Sequence, residues 1–166
     1  MKHPIALITF AVVTVIGSMA ALGTPGIGRL YNNILAFAST DADLSKNILR
    51  VGPRGAEWEL KLKTKGPSDV YIQESGFAPG GYSGWHTHPG LLILTVVDGT
   101  LALYDANCNP RILEVGDVFT EDESVHNLVN AGTVNAHVKS FYIVQKGAAR
   151  RAEADAPACG PGIGLP

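Results

Sequence analysis

Apolar and charged side chains alternate one by one along residues 56–64, where Trp58, Leu60 and Leu62 are separated by Glu and Lys. Successive side chains of a strand point to opposite faces, so this alternation predicts a β-strand with one buried face. Short apolar runs recur down the chain, each bounded by turn-forming residues. They predict further strands over residues 70–74, 91–97, 100–104, 111–115, 125–129 and 136–144.

The segments between these runs are rich in Gly, Pro, Asn and Asp, and Asp98-Gly99 is the strongest hairpin signal among them. No amphipathic helical stretch separates the runs. Many short strands at regular spacing predict an all-β fold, either a sandwich or a barrel of antiparallel strands. A length of 166 residues with 46% hydrophobic content corresponds to about one globular domain.

The first residues have the composition of an export signal. Lys2 supplies a short positive segment, an apolar stretch follows, and small residues at Ser18 and Ala20 suit cleavage somewhere between Ala20 and Gly23. Residues 1–23 are therefore predicted to be a signal peptide, which places the mature protein in the periplasm or outside the cell, without stable membrane association. The alternative is an uncleaved anchor, since an apolar stretch of about 19 residues just suffices to span a bilayer.

The rest of the chain divides by composition into three parts. Residues 24–55 lack a sustained periodicity of hydrophobic residues and are predicted to form an irregular N-terminal arm. Residues 56–147 are predicted to form the barrel, and residues 148–166 a C-terminal tail. Cys108 and Cys159 are predicted to form a disulfide that ties down this tail, because paired thiols of exported proteins are usually oxidised. A reactive or ligating Cys108 is the alternative, although its surroundings have turn composition.

The charge distribution argues against binding to nucleic acids. The formal net charge is −2, and Arg150-Arg151 is the one local concentration of basic residues that stands out. Proteins that bind DNA or RNA generally carry a larger basic patch. A small molecule is the expected partner.

Three histidines carry the candidate chemistry. His86 and His88 are separated by one residue, so on a strand they point to the same face, and His126 supplies a third imidazole. Neutral imidazole is the commonest metal ligand in proteins. These three residues are therefore the candidate metal ligands.

Two sequence blocks resemble the motifs of the cupin superfamily. The first is Gly80-x5-His86-x-His88-x3-Leu92-x6-Gly99, and the second is Gly116-Asp117 followed by His126-x3-Asn130. The stretch around the first block is similar to small exported bacterial cupins. This resemblance implies a single double-stranded β-helix barrel, which is jelly-roll-like, with His86, His88 and His126 in three of the four ligand positions. The fourth position, normally acidic, is Leu92 here, and the resemblance also implies a homodimer.

Other polar residues have less specific interpretations. The run Glu121-Asp122-Glu123 is expected to be a solvated turn rather than a source of ligands. Asn130 either orients His126 through a hydrogen bond or forms a turn. His137 is expected to be an ordinary surface or hydrogen-bonded histidine. Four strand residues that line the barrel in some registers are Gln73, Thr95, Tyr104 and Tyr142.

These observations predict an exported, metal-binding cupin that binds or acts on a small molecule. Three neutral imidazoles leave coordination positions open for water or substrate, and Fe, Zn, Mn and Ni all fit such a site. A metal-dependent oxygenase or hydrolase is one expectation. The alternative is a non-catalytic cupin, either a small-molecule-binding or a structural module without metal.

Overall fold

The computed structural model describes residues 23–158 and Gly160. In this part of the chain the regular structure is almost entirely β, with one short 3-10 turn at Pro53–Gly55. The predicted signal peptide, residues 1–23, lies outside the described residues except for Gly23. No helix within the described residues is long and apolar enough to cross a membrane.

The strands, in chain order, are β1 (Ile27–Thr40), β2 (Ser45–Val51), β3 (Glu57–Lys63), β4 (Ser68–Tyr82), β5 (His86–Thr87), β6 (Leu91–Asp98), β7 (Leu101–Asp105), β8 (Pro110–Leu113), β9 (Val118–Glu121), β10 (His126–Asn130), β11 (Ala136–Gln145) and β12 (Ala152–Glu153). The strand pairs described are all antiparallel.

Ten of these strands form one continuous curled sheet that folds into two halves. One half has the order β1-β4-β11-β6-β9, and the other has the order β12-β5-β10-β7-β8. The long strand β4 joins the halves, because its last residue Tyr82 pairs with Val129 of β10. The predicted all-β fold, a single double-stranded β-helix barrel, is confirmed.

The hydrophobic core lies between the two halves. On β6, Leu92, Leu94 and Val96 are buried whereas Leu91 and Ile93 are exposed, which is the alternation expected of a strand with one face toward the core. These inward residues pack in one cluster with side chains from both halves, namely Phe77, Leu101, Leu113, Phe119, Leu128, Ala136, Val138 and Tyr142. Both halves of the sheet therefore contribute side chains to one apolar core.

The prediction of an irregular arm over residues 24–55 is wrong for most of that segment. β1 is a 14-residue strand that pairs with β4 from Ile27↔Tyr82 to Thr40↔Ser68, and β2 follows it. β1 lies at the edge of the sheet and is largely exposed on both faces, with register shifts along the pairing. A strand without a buried face has no hydrophobic alternation to detect.

Two other local predictions also differ from the structure. β3 forms as predicted, but it pairs only with β2 within the described residues, and the Trp58 side chain remains 56% exposed. Asp98-Gly99 does not form a hairpin, since β6 pairs with β9 and β11 while β7 pairs with β8 and β10. Gly99 adopts a φ of 77°, as a tight turn requires, but the chain crosses there from one half to the other.

The C-terminal tail, residues 148–166, is described up to residue 158 and at Gly160. It is not wholly irregular, because β12 pairs with β5 next to His86. Cys108 lies in the predicted turn and adopts a φ of 68°. Cys159 falls outside the described residues, so the Cys108–Cys159 disulfide stays a prediction.

Candidate metal centre

The three predicted histidine ligands lie together at the inner face of the barrel. His86 begins β5, His88 follows that strand, and His126 is the first residue of β10, where it pairs directly with His86. All three are buried. Cross-strand pairing places His126 beside His86, and the two-residue spacing places His88 on the same side.

Each imidazole is oriented by a backbone carbonyl. The Nδ1 atom of His86 lies 2.7 Å from the carbonyl oxygen of Gly84, that of His88 lies 2.7 Å from Arg150 O, and that of His126 lies 2.7 Å from Ser124 O. A carbonyl oxygen only accepts hydrogen bonds, so each Nδ1 must carry the proton. In the neutral state, each Nε2 therefore presents an unprotonated lone pair.

The loop that supplies one of these carbonyls requires glycine. Gly84 adopts a φ of 78°, and a Cβ atom there would overlap the carbonyl oxygen of Thr24. Thr24 also accepts a hydrogen bond from the backbone N–H of Trp85 through its Oγ1, at 2.8 Å. The segment before β1 thereby holds the turn that orients His86.

The three Nε2 atoms converge. His86 Nε2 lies 3.1 Å from His88 Nε2, and the ring centroids of His86 and His126 are 4.4 Å apart. Two neutral imidazoles of this tautomer cannot hydrogen-bond to each other through Nε2, because both atoms are acceptors. A cation between them satisfies both lone pairs.

A carboxylate completes the cluster. Glu121, the last residue of β9, is only 6% exposed, and its Oε2 lies 3.1 Å from His88 Nε2 and 3.3 Å from His126 Nε2. The interpretation of Glu121-Asp122-Glu123 as a solvated turn is therefore wrong for Glu121, although Asp122 and Glu123 are exposed. The four candidate ligand atoms lie within 4.8 Å of one another.

Two atoms of this cluster lack a hydrogen-bond partner among the described residues. They are Glu121 Oε1 and His126 Nε2, and both are buried. Buried polar atoms are normally satisfied, so an unsatisfied pair inside one cluster is informative. The donor set of three imidazole nitrogens and a carboxylate fits a divalent metal ion of the first transition row.

The cluster favours positive charge at its centre. Burial raises the pKa of Glu121, but the adjacent imidazoles of His126, His88 and His86 outweigh burial and hold that pKa well below its ordinary value. Burial lowers the pKa of His126, but the Glu121 carboxylate reverses the effect and raises it. Burial, together with the charge of His126, lowers the pKa of His86 well below its usual value.

A cavity of about 240 Å³ opens beside His86, His88 and Glu121. Gln73 and Tyr142, two of the strand residues considered from the sequence, line it, and the Gln73 Nε2 group donates a hydrogen bond to the Tyr142 hydroxyl at 3.3 Å. Burial raises the pKa of Tyr142 to about 12. Its hydroxyl therefore keeps its proton at neutral pH.

Arginine side chains also line this cavity. Arg29 comes from β1, while Arg150 and Arg151 come from the segment before β12. In the sequence, Arg150-Arg151 is only an isolated basic pair, and Arg29 lies in the predicted irregular arm. Their convergence depends on the pairing of β1 with β4 and of β12 with β5, which no local pattern revealed.

The remaining candidate residues lie outside the cluster. The Asn130 side chain donates to the carbonyls of Phe77 and Val134 and accepts from Gly132 N–H, so it shapes the turn rather than orienting His126. His137 lies 3.5 Å from a Glu74 carboxylate oxygen. Thr95 lines a surface depression without histidines, whereas Tyr104 lines a second depression that also reaches Glu121 and His126.

One sequence signal could have identified Glu121. Along β9 the buried residues are Phe119 and Glu121, and the exposed Thr120 lies between them. Because side chains two residues apart on a strand point to the same face, the Glu121 side chain points inward like the aromatic core residue Phe119. The adjacent acidic residues obscured this parity. A charge run spanning the end of a strand can thus contain an inward-facing member.

Comparison with solved structures returns partial matches. The chain aligns with an oxalate oxidase in complex with the substrate analogue glycolate at 24% identity and a TM-score of 0.42, covering 48% of this chain and 44% of that one. A conserved protein with a double-stranded β-helix domain from Klebsiella pneumoniae aligns at 23% identity and a TM-score of 0.45, covering 52% of this chain and 75% of that one. A cupin domain from Bordetella pertussis aligns at 20% identity and a TM-score of 0.41, covering 60% and 92%.

The match thus spans less than half of the oxalate oxidase chain. No curated protein sequence matches the chain significantly. Residues 74–148 match the family model described as a cupin domain, and this segment contains both histidine motifs. Residues 74–148 of this chain therefore form a cupin domain.

Proposed function

We propose that this chain is a metal-dependent cupin that binds and transforms a small molecule at a site formed by His86, His88, Glu121 and His126. One observation carries the proposal. Three buried imidazoles have their Nδ1 protons fixed by backbone carbonyls, so their Nε2 lone pairs converge on one another and on a buried carboxylate. Carbonyl groups that fix the tautomer of a ligating histidine are a usual feature of metal sites.

The charge of the donor set supports a divalent ion. Three neutral imidazoles alone would leave both positive charges of such an ion uncompensated, whereas Glu121 neutralises one of them. The ion in turn would satisfy the orphaned Glu121 Oε1 and His126 Nε2 atoms. A buried carboxylate is costly without a cationic partner, so the same ion would stabilise Glu121 in its charged form.

The cavity favours a metal with open coordination positions. Four protein ligands complete a tetrahedral zinc site, which is the arrangement of structural zinc. Octahedral Fe, Mn or Ni would keep two further positions for ligands. Because the cavity adjoins His86, His88 and Glu121, we favour an octahedral ion whose free positions face it.

Such an ion would supply Lewis acidity toward an oxygen ligand, which suits oxidation or hydrolysis of a small molecule. The protein contributes a shaped cavity and a proton donor. Tyr142 lines the cavity, retains its proton, and receives a hydrogen bond from Gln73, which orients its hydroxyl. We propose that this hydroxyl donates a hydrogen bond to the bound molecule and orients it beside the histidine cluster.

The direct test is elemental analysis of untagged protein purified without chelators. We expect about one transition-metal ion per chain in the wild type and its loss in His86→Ala. His137→Ala is the matched control, because His137 is also a strand histidine beside carboxylates but lies outside the cluster. This control should retain the metal.

Absence of metal from every preparation, including protein reconstituted with Fe, Mn, Ni or Zn, would overturn the proposal. The chain would then be a non-catalytic small-molecule-binding or structural cupin. Export to the periplasm or beyond remains a proposal that rests on residues 1–23. Mass spectrometry of protein from the exported fraction should find an N-terminus at one of residues 21–24.

A further inference from the structure

The cavity beside the histidine cluster contains more positive than negative charge. Three guanidinium groups line it, from Arg29, Arg150 and Arg151, whereas Glu121 is the one carboxylate on its wall within the described residues. A divalent ion on the histidines would increase this excess. A site of this charge attracts an anion.

Two of the three arginines lack an acidic partner. The Arg151 guanidinium is neutralised by Glu153, with Nε–Oε1 and NH2–Oε2 distances of 2.5 and 2.6 Å. Neither Arg29 nor Arg150 lies within ion-pair distance of a carboxylate in the part of the chain that the structure describes. Two donor-rich groups at one cavity are therefore available to a ligand.

Both available guanidinium groups rest on aromatic rings. Arg29 Cζ lies 5.6 Å from the centroid of Phe77, and Arg150 Cζ lies 5.1 Å from Tyr71 and 5.7 Å from Tyr142. Stacking on a ring restrains a guanidinium while leaving its edge N–H groups free to donate. These contacts hold the donors in place before a ligand arrives, which lowers the entropic cost of binding.

Arg150 is also connected directly to the metal centre. Its backbone carbonyl accepts the Nδ1 proton of His88, and the Tyr142 ring on which its side chain rests lies 5.6 Å from the His88 ring. An anion held by Arg150 would thus lie close to the open side of the histidine cluster. The same residue fixes a candidate metal ligand and presents a charge to the cavity.

Neutral polar residues form part of the remaining wall, and apolar side chains form another part, which favours an organic ligand over an inorganic ion. Phe77, Leu94, Leu128 and Val138 line the same cavity. Its volume of about 240 Å³ corresponds to about eight water molecules, which limits the ligand to a small one. An acid with a short carbon chain would place its carboxylate on the arginines and its carbons on these apolar groups.

We propose that the substrate or ligand of this cavity is a small organic carboxylate, held through its carboxylate by Arg29 and Arg150. This inference rests on the proposed function in that it concerns the same site, and it adds the chemical class of the ligand. Arginine binds carboxylates through two parallel N–H···O hydrogen bonds, which gives orientation as well as affinity.

Isothermal titration calorimetry of the protein as purified, with butyrate, succinate, butyramide and inorganic phosphate, tests this assignment. Butyramide has the size and shape of butyrate but no charge. We expect at least one of the two acids to bind and butyramide to bind at least about tenfold more weakly, the difference typical of a charge-assisted hydrogen bond. Equal binding of butyrate, succinate and butyramide, or tighter binding of inorganic phosphate than of either acid, would overturn the carboxylate assignment.

Variants locate the binding groups. Arg29→Gln and Arg150→Gln should each weaken binding of the acid about tenfold or more, whereas Arg50→Gln, on the exposed β2, should leave it unchanged. Unchanged affinity in both cavity variants would overturn the inference. Circular dichroism should show the same folded spectrum for all three variants.

Metal content measured on the same samples separates this inference from the proposed function. Metal-containing protein that binds neither acid would overturn the carboxylate inference alone. Acid binding that depends on the two arginines in protein without metal would support the anion site while overturning the metal proposal.

Discussion

Leu92 and Glu121 are directly paired across the β6–β9 sheet. Residues paired in this way project to the same face, with Cβ atoms about 5 Å apart. In the cupin pattern that this sequence resembles, the acidic ligand falls at the position of Leu92. The carboxylate of this protein therefore approaches the histidines from the neighbouring strand, while Leu92 joins the hydrophobic core.

Exchanging the two residues should test this relationship. Glu121→Leu alone should weaken metal binding at least about tenfold, because it removes the only carboxylate of the cluster within the described residues. Adding Leu92→Glu should restore much of the affinity, since the new carboxylate starts from the paired position. Competition with a chelator measures both effects.

Glu123→Leu provides the control for that exchange. Glu123 lies two residues away but is exposed, so its loss should not alter metal affinity. If Glu121→Leu retained the affinity of the wild type, Glu121 would not be a ligand. A double variant that stays folded but binds no more metal than Glu121→Leu would contradict the equivalence of the paired positions.

Metal binding should weaken as the pH falls. Ligation requires neutral imidazole, and protons compete with the metal below the pKa of each histidine. Although burial lowers the pKa of His126, the Glu121 carboxylate raises it above the ordinary 6.5, so competition should begin above that pH. In Glu121→Gln the onset should move to lower pH, because the cause of the raised pKa is removed. Affinity that does not change between pH 8 and pH 5 would contradict ligation by these histidines.

Asp69 should make the fold sensitive to acid. Its carboxylate accepts hydrogen bonds from the Ser39 hydroxyl at 2.5 Å and from Gly147 N–H at 2.8 Å, and these hold its pKa below the ordinary 3.8. A pKa that is lower in the folded state stabilises the fold above pH 3.8 and ceases to do so as the pH falls through the folded value.

Asp69→Asn should therefore lower the thermal midpoint at neutral pH and flatten its dependence on pH below about 4. Asp155→Asn, an exposed carboxyl of the tail, serves as the control and should leave the midpoint unchanged. Thermal denaturation followed by circular dichroism measures both. Identical acid profiles for Asp69→Asn and the wild type would contradict this role of Asp69.

The homodimer expected from the family resemblance remains a prediction. Ile72, Ile93 and Phe141 lie side by side on three adjacent strands, since Phe141 pairs with both of the others, and all three are more than one third exposed. If two copies associate through this face, Phe141→Asp should convert the dimer to a monomer in light scattering. Val134→Asp, an exposed apolar residue elsewhere, should not. A wild-type monomer would contradict the expected dimer.

Local sequence patterns are sufficient to predict the strands that have one buried face. β6 and β11 match the predicted bounds to within one residue, because each is a short apolar run bounded by turn-forming residues. β1 was missed because both of its faces are largely exposed, and its place beside β4 depends on hydrogen bonds rather than on burial. Periodicity reports burial and not backbone pairing.

The residues of the candidate site also divide into those that a local sequence pattern identifies and one that depends on long-range strand pairing. The spacing of His86 and His88 and the motif position of His126 identified three of the four clustered residues, because strand parity is a local property. Glu121 was interpreted as solvated, since nothing in its neighbourhood shows that β9 pairs with β6. The strand register that brings it to the histidines is set by contacts between distant segments.

The sequence by itself determined the all-β class, because short apolar runs alternate with turn-forming residues. It also determined the three histidines, since strand alternation relates His86 to His88 and the motif position identifies His126. The tertiary structure alone decided the fourth cluster residue, the tautomer of each imidazole and the arginines of the cavity. Arg29, Glu121 and Arg150 are far apart along the chain, and only the curling of one sheet into two facing halves brings them to the same cavity. Such convergence depends on long-range pairing, which short patterns in the sequence do not encode.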